Sequence, residues 1–261
     1  MDRRIRRIAA GILLVIFLGS TGVILYTKHQ YRVSEDLYSQ ASDRYTVRME
    51  EPEVQDGEAL APVVVDFDLL QEENEDIVGW IYCEGTPLDY LVVQGPDNDY
   101  YLRRSYDGVH STAGTIFIDA NNRPGFADCN TIIYGHNMKN GSMFAVLSNW
   151  AEQEFYEAHP VIWFLTPERD YKIVLFSEYT TSAYSDTYLM YQAPCPELDE
   201  YLQRAAKQSN FKSDAQAPEQ LDGNARYVLL STCAYVFDDA RDVLHGKLVP
   251  ADSAGGVAVA Q

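Results

Sequence analysis

The longest apolar run of the chain covers residues 8–26 and carries no charge. At 1.5 Å per residue, a helix over this run is long enough to cross a hydrocarbon layer of about 30 Å. The arginine-rich residues 1–7 precede it and Lys28 follows. The positive-inside rule therefore predicts a cytoplasmic tail over 1–7 and a single-pass anchor helix over 8–26, with the body outside the cell. A cleaved signal peptide is the alternative, but the run is longer than usual for one and no clear cleavage site follows.

Beyond the anchor, the pattern becomes polar and acidic over residues 27–65, with Pro52, Gly57 and Pro62 near its end. This composition predicts a stalk or linker, helical up to about residue 51. Residues 66–250 carry the strand and helix patterns of a folded domain. The last residues, 251–261, are small and featureless, and we expect a flexible tail.

Short apolar, β-favouring runs dominate the body and are separated by turn residues. Amphipathic spacing predicts helices over 67–77, 144–158 and 197–208, whereas the other apolar runs predict strands over 78–82, 88–93, 114–119, 130–135, 161–165, 171–179, 227–232 and 243–249. Short strands at close spacing with few helices indicate a mainly β protein with a closed or nearly closed barrel.

Charge and cysteine content exclude several functions. The formal net charge is −19, which disfavours binding to a phosphate backbone, so we expect no nucleic-acid partner. The 4 cysteines, Cys83, Cys129, Cys195 and Cys233, form no CxxC pair. Neither a zinc ribbon nor a thioredoxin-like site is encoded, and the cysteines leave three possible full disulfide pairings open. We predict no metal and no cofactor.

One cysteine lies where a strand is expected to end. Cys233 closes the apolar run 227–232, and a short connection leads to Arg241 at the start of the next strand. Two such strands would place the thiol and the guanidinium side by side at one edge of a sheet. A nearby positive charge favours the thiolate, the nucleophilic form of cysteine. The alternative is that Cys233 is a small buried hydrophobe.

A nucleophilic cysteine needs a proton acceptor, and the chain has 5 histidines. His136 follows the apolar run 131–134 and a glycine, at a strand-to-loop boundary where functional side chains are commonly presented. The other four, His29, His110, His159 and His245, lack this position. We therefore expect His136 to be the functional histidine.

Together these residues resemble the motifs of class B sortases, cysteine transpeptidases of Gram-positive bacteria. The matching segments are TIIYGHNM at 131–138, GSMF at 141–144, LSTC at 230–233, FDDAR at 237–241, VGWI at 78–81 and DNDYYL at 97–102. The likeness runs from about residue 78 to 248. Leu229 stands where the family more often has Thr.

The resemblance implies an eight-stranded sortase-type β-barrel with an N-terminal helical segment and inserted helices. It implies that Cys233 attacks the Thr carbonyl of an NPQTN-like or SPKTG-like sorting signal on a secreted protein. An amine of a peptidoglycan precursor or cross-bridge, or a pilin lysine, then resolves the thioacyl enzyme. His136 would be the general acid and base, and Arg241 would hold the substrate and the oxyanion.

Substrate-binding roles are expected for Ser231, Thr232 and Asn137. The acidic pair Asp238 and Asp239 suggests a calcium site less well than a solvated loop, because calcium takes 6 to 8 oxygen ligands. Two other functions remain open at the level of the sequence. One is a surface cysteine peptidase that only hydrolyses its substrate, and the other is a binding module in which Cys233 and Arg241 are structural.

Overall fold

A computed structural model describes residues 3–49, 54–55, 58–217 and 219–251. The start of the predicted basic tail and nearly all of the predicted C-terminal tail lie outside these residues. The helices are α1 (Arg3–Tyr45), α2 (Phe67–Glu73), α3 (Gln153–Ala158) and α4 (Pro196–Gln208), with 3-10 helices at Tyr101–Arg103, Phe144–Ala151, Asp186–Tyr188 and Asp214–Gln216. The strands are β1 (Thr46–Arg48), β2 (Val54–Gln55), β3 (Glu58–Ala59), β4 (Val63–Val65), β5 (Ile77–Tyr82), β6 (Asp89–Val93), β7 (Ile116–Ile118), β8 (Asn130–Tyr134), β9 (Val161–Leu165), β10 (Asp170–Ser182), β11 (Arg226–Cys233) and β12 (Ala240–Ala251).

Helix α1 joins the predicted anchor to the body without a break. Its N-terminal part is long and apolar enough to cross a membrane, and its side chains there are exposed. The C-terminal part packs on the domain through the buried Tyr38, Ala41 and Tyr45. The residues expected to form a helical stalk therefore lie against the barrel as far as Tyr45.

Eight strands close into a barrel in the order β10-β12-β11-β8-β7-β6-β5-β9. Most neighbours are antiparallel, but β8 pairs with β11 and β6 with β7 in parallel. The predicted barrel is therefore confirmed. Because β8 and β11 run in the same direction, the residues that follow them emerge at the same end of the barrel.

The helix predicted over 144–158 is wrong as a single element. The structure has a 3-10 helix, Phe144–Ala151, followed by the short helix α3. Glu152 between them is extended, with φ −89° and ψ 127°, so the two pieces change direction there. Apolar spacing alone did not reveal this break.

Strand β11 is buried on both faces, which explains its unbroken apolar sequence. Val228 and Leu230 point into the barrel core, whereas Tyr227 and Leu229 join a second cluster that includes α4. Leu229 is thus a packing residue, and full burial of a leucine contributes roughly 1.5–3 kcal/mol. Packing on both faces holds the C-terminal end of the strand in place.

Candidate active site

Cys233 is the last residue of β11 and lies directly opposite Arg241 near the start of β12. Directly opposed residues of an antiparallel pair have Cβ atoms roughly 4.5–5.5 Å apart, with side chains on the same face. Both side chains are half-buried. The strand register therefore places Cys233 and Arg241 side by side at one edge of the barrel, the juxtaposition expected from the sequence.

His136 follows β8, the strand that pairs with β11 on its other side. The parallel register places Tyr134 beside Ser231 and continues beyond the strand end. Gly135 donates its N–H to the carbonyl of Ser231 at 3.1 Å. The Thr232 hydroxyl donates in return to the carbonyl of Gly135 at 2.8 Å. These bonds fix the backbone on which His136 enters the edge next to Cys233.

Gly135 is required for this approach because Phe144 covers it. A Cβ atom added at Gly135 would lie 2.6 Å from Cγ of Phe144, closer than carbon atoms can pack. Phe144 is fully buried and donates its N–H to the carbonyl of His136 at 3.0 Å. Any larger residue at 135 would displace the Phe144 ring and with it the backbone N–H that holds the His136 carbonyl.

Asn137 ties the histidine loop to the cysteine strand. Its Nδ2 donates to the carbonyl of Cys233 at 2.7 Å, and its own carbonyl accepts from the Tyr235 hydroxyl at 3.2 Å. Asn137, the residue after His136, is thus hydrogen-bonded both to Cys233 and to the loop that leads to Arg241.

The ring of His136 is oriented by a backbone carbonyl. Its Nε2 lies 2.8 Å from the carbonyl oxygen of Leu102. A carbonyl oxygen only accepts, so Nε2 carries a hydrogen and the lone pair of the neutral ring is at Nδ1. The available basic atom of His136 is therefore Nδ1.

Two tyrosines lie behind this edge. Tyr134 and Tyr188 are stacked with ring centroids 6.4 Å apart, and the Tyr188 hydroxyl is 2.8 Å from the Ser231 hydroxyl. Burial raises the pKa of Tyr188 to about 12, whereas the Ser231 hydroxyl and the charge of Arg241 lower that pKa. Burial also raises the pKa of Tyr134, so both phenols are neutral at physiological pH. They can form hydrogen bonds at this edge but supply no negative charge.

The predicted substrate-binding residues make contacts within the protein. Ser231 and Thr232 are buried, with their hydroxyls at Tyr188 and Gly135, and Asn137 holds the Cys233 carbonyl. Substrate contact by these three residues stays a prediction.

Sequence reasoning missed two contributors, Leu102 and Tyr188. Leu102 contacts His136 through its backbone carbonyl, so the identity of its side chain gave no signal in the sequence. Tyr188 reaches the edge from the 3-10 helix between β10 and α4, and no local pattern distinguished it from the other tyrosines of the chain.

The other cysteines and the acidic pair contribute no second centre. Cys83 and Cys129 are buried, and burial raises the pKa of the Cys83 thiol to about 11. All four cysteines are free thiols. Asp238 and Asp239 are exposed, and within the described residues no group of three or more His, Cys, Asp or Glu side chains could hold a metal ion.

Comparison with known proteins agrees with this geometry. Sortase B of Listeria monocytogenes is 39% identical over 185 residues, which cover 69% of this chain and 72% of that protein. Sortase B of Staphylococcus aureus is 35% identical over 185 residues, 70% of this chain and 74% of that protein. The chain belongs to the sortase B family. No protein-family model matches it.

Solved sortase B structures share the fold of this sortase. The B. anthracis enzyme in complex with AAEK1 superposes with a TM-score of 0.70 at 32% identity, covering 85% of this chain and 99% of that one. The S. aureus sortase B–substrate complex gives a TM-score of 0.66 at 31% identity, covering 72% and 86%.

Family membership makes this protein a cysteine transpeptidase. It removes the binding-module alternative, and it favours amine transfer over the purely hydrolytic alternative. The predicted class B resemblance, fold and enzyme class are all confirmed.

Proposed function

We propose that this chain is a membrane-anchored transpeptidase whose catalytic residues are Cys233, His136 and Arg241. The single observation that carries the proposal is that these three residues lie at the same edge of the barrel. Cys233 pairs with Arg241 across one ladder, and the loop bearing His136 is hydrogen-bonded to the Cys233 strand from the other side. Three separate segments of the sequence therefore contribute to one half-exposed site.

In the first half-reaction, the Cys233 thiolate attacks the Thr carbonyl carbon of a sorting signal. The new S–C bond gives a tetrahedral oxyanion, and Arg241 is well suited to hold it because its planar fork offers several fixed donors. Collapse breaks the C–N bond and leaves a thioacyl enzyme. His136 gives a proton to the departing amine, so the downstream peptide leaves neutral.

In the second half-reaction, an acceptor amine attacks the thioester carbon. His136 takes the proton from this amine, and its free Nδ1 lone pair is the atom suited to do so. The new amide bond forms as the S–C bond breaks and the thiolate leaves. Dividing amide exchange into two steps is favourable because a thiolate is both a good nucleophile and a good leaving group.

The proposed partners are an NPQTN-like or SPKTG-like signal and an amine of a peptidoglycan precursor, a cross-bridge or a pilin. Residues 8–26 would span the membrane, with residues 1–7 in the cytoplasm and the catalytic domain, 66–250, outside. The apolar stretch of α1 and the basic residues before it support this topology. No cofactor takes part in the proposed steps.

Mass spectrometry of peptide mixtures would test this function. The full-length enzyme is incubated with peptides carrying NPQTN-like and SPKTG-like signals, with and without a glycine or diaminopimelate-like amine. We expect cleavage after Thr and a ligated product when the amine is present. Cleavage elsewhere, or hydrolysis that the amine never diverts, would contradict the proposal. The Cys233→Ala variant is the control for background cleavage.

A further inference from the structure

The catalytic edge lies at the membrane end of helix α1. A cavity of about 300 Å³ is lined on one side by Tyr26, Thr27, Gln30 and Tyr31 of α1, and on the other by Thr112, Asn137, Met138, Lys139 and Tyr235. The α1 residues are the last residue of the apolar run, Tyr26, and three residues that come soon after it. The loops after β8 and β11, which lead away from His136 and Cys233, therefore lie where α1 would leave the bilayer.

Contacts further along α1 hold the helix on the body of the protein. Ser34 lies 3.3 Å from the Ser111 hydroxyl, and Glu35 accepts from Asn140 at 2.7 Å. Ser42 donates to Asp89 at 2.7 Å, and Tyr45 donates to Glu73 at 3.1 Å. Tyr45 lies 19 residues beyond Tyr26, which corresponds to a rise of roughly 28 Å along the helix. The C-terminal end of α1 at Tyr45 is thus well away from the level of Tyr26.

The loop between β11 and β12 presents an exposed apolar tip on the side of the cavity near Tyr26. Tyr235 and Val236 are each 73% exposed and Phe237 is 51% exposed, and nearby Tyr184 is 84% exposed. Ala183 donates its N–H to the carbonyl of Asp239 at 2.9 Å, which joins the Tyr184 loop to this one. Consecutive exposed apolar and aromatic side chains are unusual on a water-facing surface.

We propose that the tip formed by Tyr184, Tyr235, Val236 and Phe237 inserts into the outer surface of the lipid bilayer and docks the catalytic edge there. The proposal rests on the membrane anchoring proposed above. Aromatic side chains are favoured at the level of the headgroups, where Tyr26 also ends the apolar run.

Charge at this level is compatible with a lipid surface. Lys28 and Lys139 are exposed beside the cavity, in a chain whose net charge is −19. Cations at the membrane surface are attracted to anionic headgroups. Asp238 and Asp239 are exposed but follow the tip, on the return of the loop to β12, where they can remain in water.

Fluorescence quenching by brominated lipids tests the docking. The full-length chain is reconstituted in phosphatidylcholine–phosphatidylglycerol vesicles, with or without brominated acyl chains. Two variants compare exposed valines, Val236→Trp at the tip and Val47→Trp near the far end of α1, where Val47 is 52% exposed. The parent chain supplies the background from its 3 native tryptophans.

We expect the brominated lipid to remove at least about half of the fluorescence added by Val236→Trp and to leave that of Val47→Trp unchanged. Equal quenching of the two variants would overturn the docking. Emission from Val236→Trp that changes on addition of sorting-signal peptide, but not with brominated lipid, would also overturn it. Phe237→Trp is a second probe of the same tip should Val236→Trp fail to fold.

Flotation of the vesicles separates this inference from the proposed function. A chain that floats with the vesicles and cleaves sorting peptides, but whose tip is not quenched, retains the proposed function and loses only the docking. A chain that does not float would overturn both the anchoring and the docking.

Discussion

Strand β12 carries two very different polar environments only four residues apart. Arg241 lies at the edge of the proposed active site, half-buried and opposite Cys233. His245 is buried inside the second cluster, where its Nε2 lies 3.0 Å from the Tyr201 hydroxyl and its ring stacks on Tyr179. Burial lowers the pKa of His245 to about 3.

The comparison extends to the two histidines. His136 is half-buried at the open edge, with one ring nitrogen available, whereas His245 is held neutral by its surroundings. A histidine can exchange protons with a substrate only if the substrate reaches it and its charged form is accessible. Position at the strand end, rather than residue type, therefore decides which histidine can take part in catalysis.

Exchanging each histidine for glutamine gives the largest expected contrast. We expect His136→Gln to lower kcat/KM for transpeptidation by roughly 10²–10⁴-fold, because general acid–base transfer is lost. His245→Gln should lower the melting temperature and leave kcat/KM of the folded enzyme within about threefold. Steady-state kinetics with calorimetry on both variants checks this. Comparable kinetic losses in the two would break the comparison.

The role of the guanidinium can be separated from its charge. Arg241→Lys keeps the charge but loses the two-pronged geometry, so we expect a loss of roughly 10²-fold or more in kcat. Arg226→Lys, at the other end of β11, is the matched control and should retain near-normal kcat. Near wild-type turnover by Arg241→Lys would refute its proposed role.

The buried polar groups predict opposing effects of pH on stability. His245 is neutral in the folded state and protonates below about 6.5 when unfolded, so it makes stability fall as pH drops from 6.5 to about 3. Glu178 has its pKa raised to about 7 by burial from an ordinary value of 4.5, so it makes stability fall as pH rises from 4.5 to 7. Each effect reaches at most about 1.4 kcal/mol per pH unit.

Between pH 4.5 and 6.5 these two contributions cancel. In Glu178→Gln only the His245 contribution remains, so the free energy of unfolding should rise with pH in this window relative to wild type. In His245→Gln only the Glu178 contribution remains, so the free energy of unfolding should fall with pH. Denaturant titrations at pH 5 and 6 measure both slopes. Slopes of the same sign would contradict the assignment of these two buried groups.

The smallest expected effect concerns the hydrogen bond between Asn137 and the Cys233 carbonyl. Asn137→Ala removes the hydrogen bond to the Cys233 carbonyl, worth about 1 kcal/mol, so we expect about a fivefold loss in kcat/KM. Asn140 lies three residues beyond Asn137, and Asn140→Ala, which removes a hydrogen bond to Glu35, should have no effect on kcat/KM. A loss of the same size in both variants would show that a general loss of order in the loop lowers kcat/KM, and not the loss of the hydrogen bond to Cys233.

The sequence predicted the barrel and the Cys233–Arg241 pair because both depend on local order. Apolar runs define the strands, and the short connection after Cys233 forces the next strand to return alongside. His136 was identifiable because it directly follows a strand and a glycine. That His136 lies beside the Cys233 strand could not be read from local sequence, because the parallel pairing of β8 with β11 joins segments nearly a hundred residues apart.

Other features were hidden for different physical reasons. The docking of Tyr38 and Tyr45 onto the barrel depends on a partner surface formed by distant residues. The His136–Leu102 contact uses a backbone carbonyl, which every residue possesses. Extended backbone at Glu152 interrupts a segment whose apolar spacing suits a continuous helix.

The central claim is that Cys233 is the nucleophile of a site completed by His136 and Arg241. Tandem mass spectrometry of the enzyme, quenched in acid during turnover of a sorting peptide without added amine, tests it most directly. We predict an acyl group ending in Thr, linked as a thioester to Cys233 and absent from Cys83, Cys129 and Cys195. Cleavage of the peptide by a Cys233→Ala variant at the wild-type rate, or an adduct on another cysteine, would contradict the account.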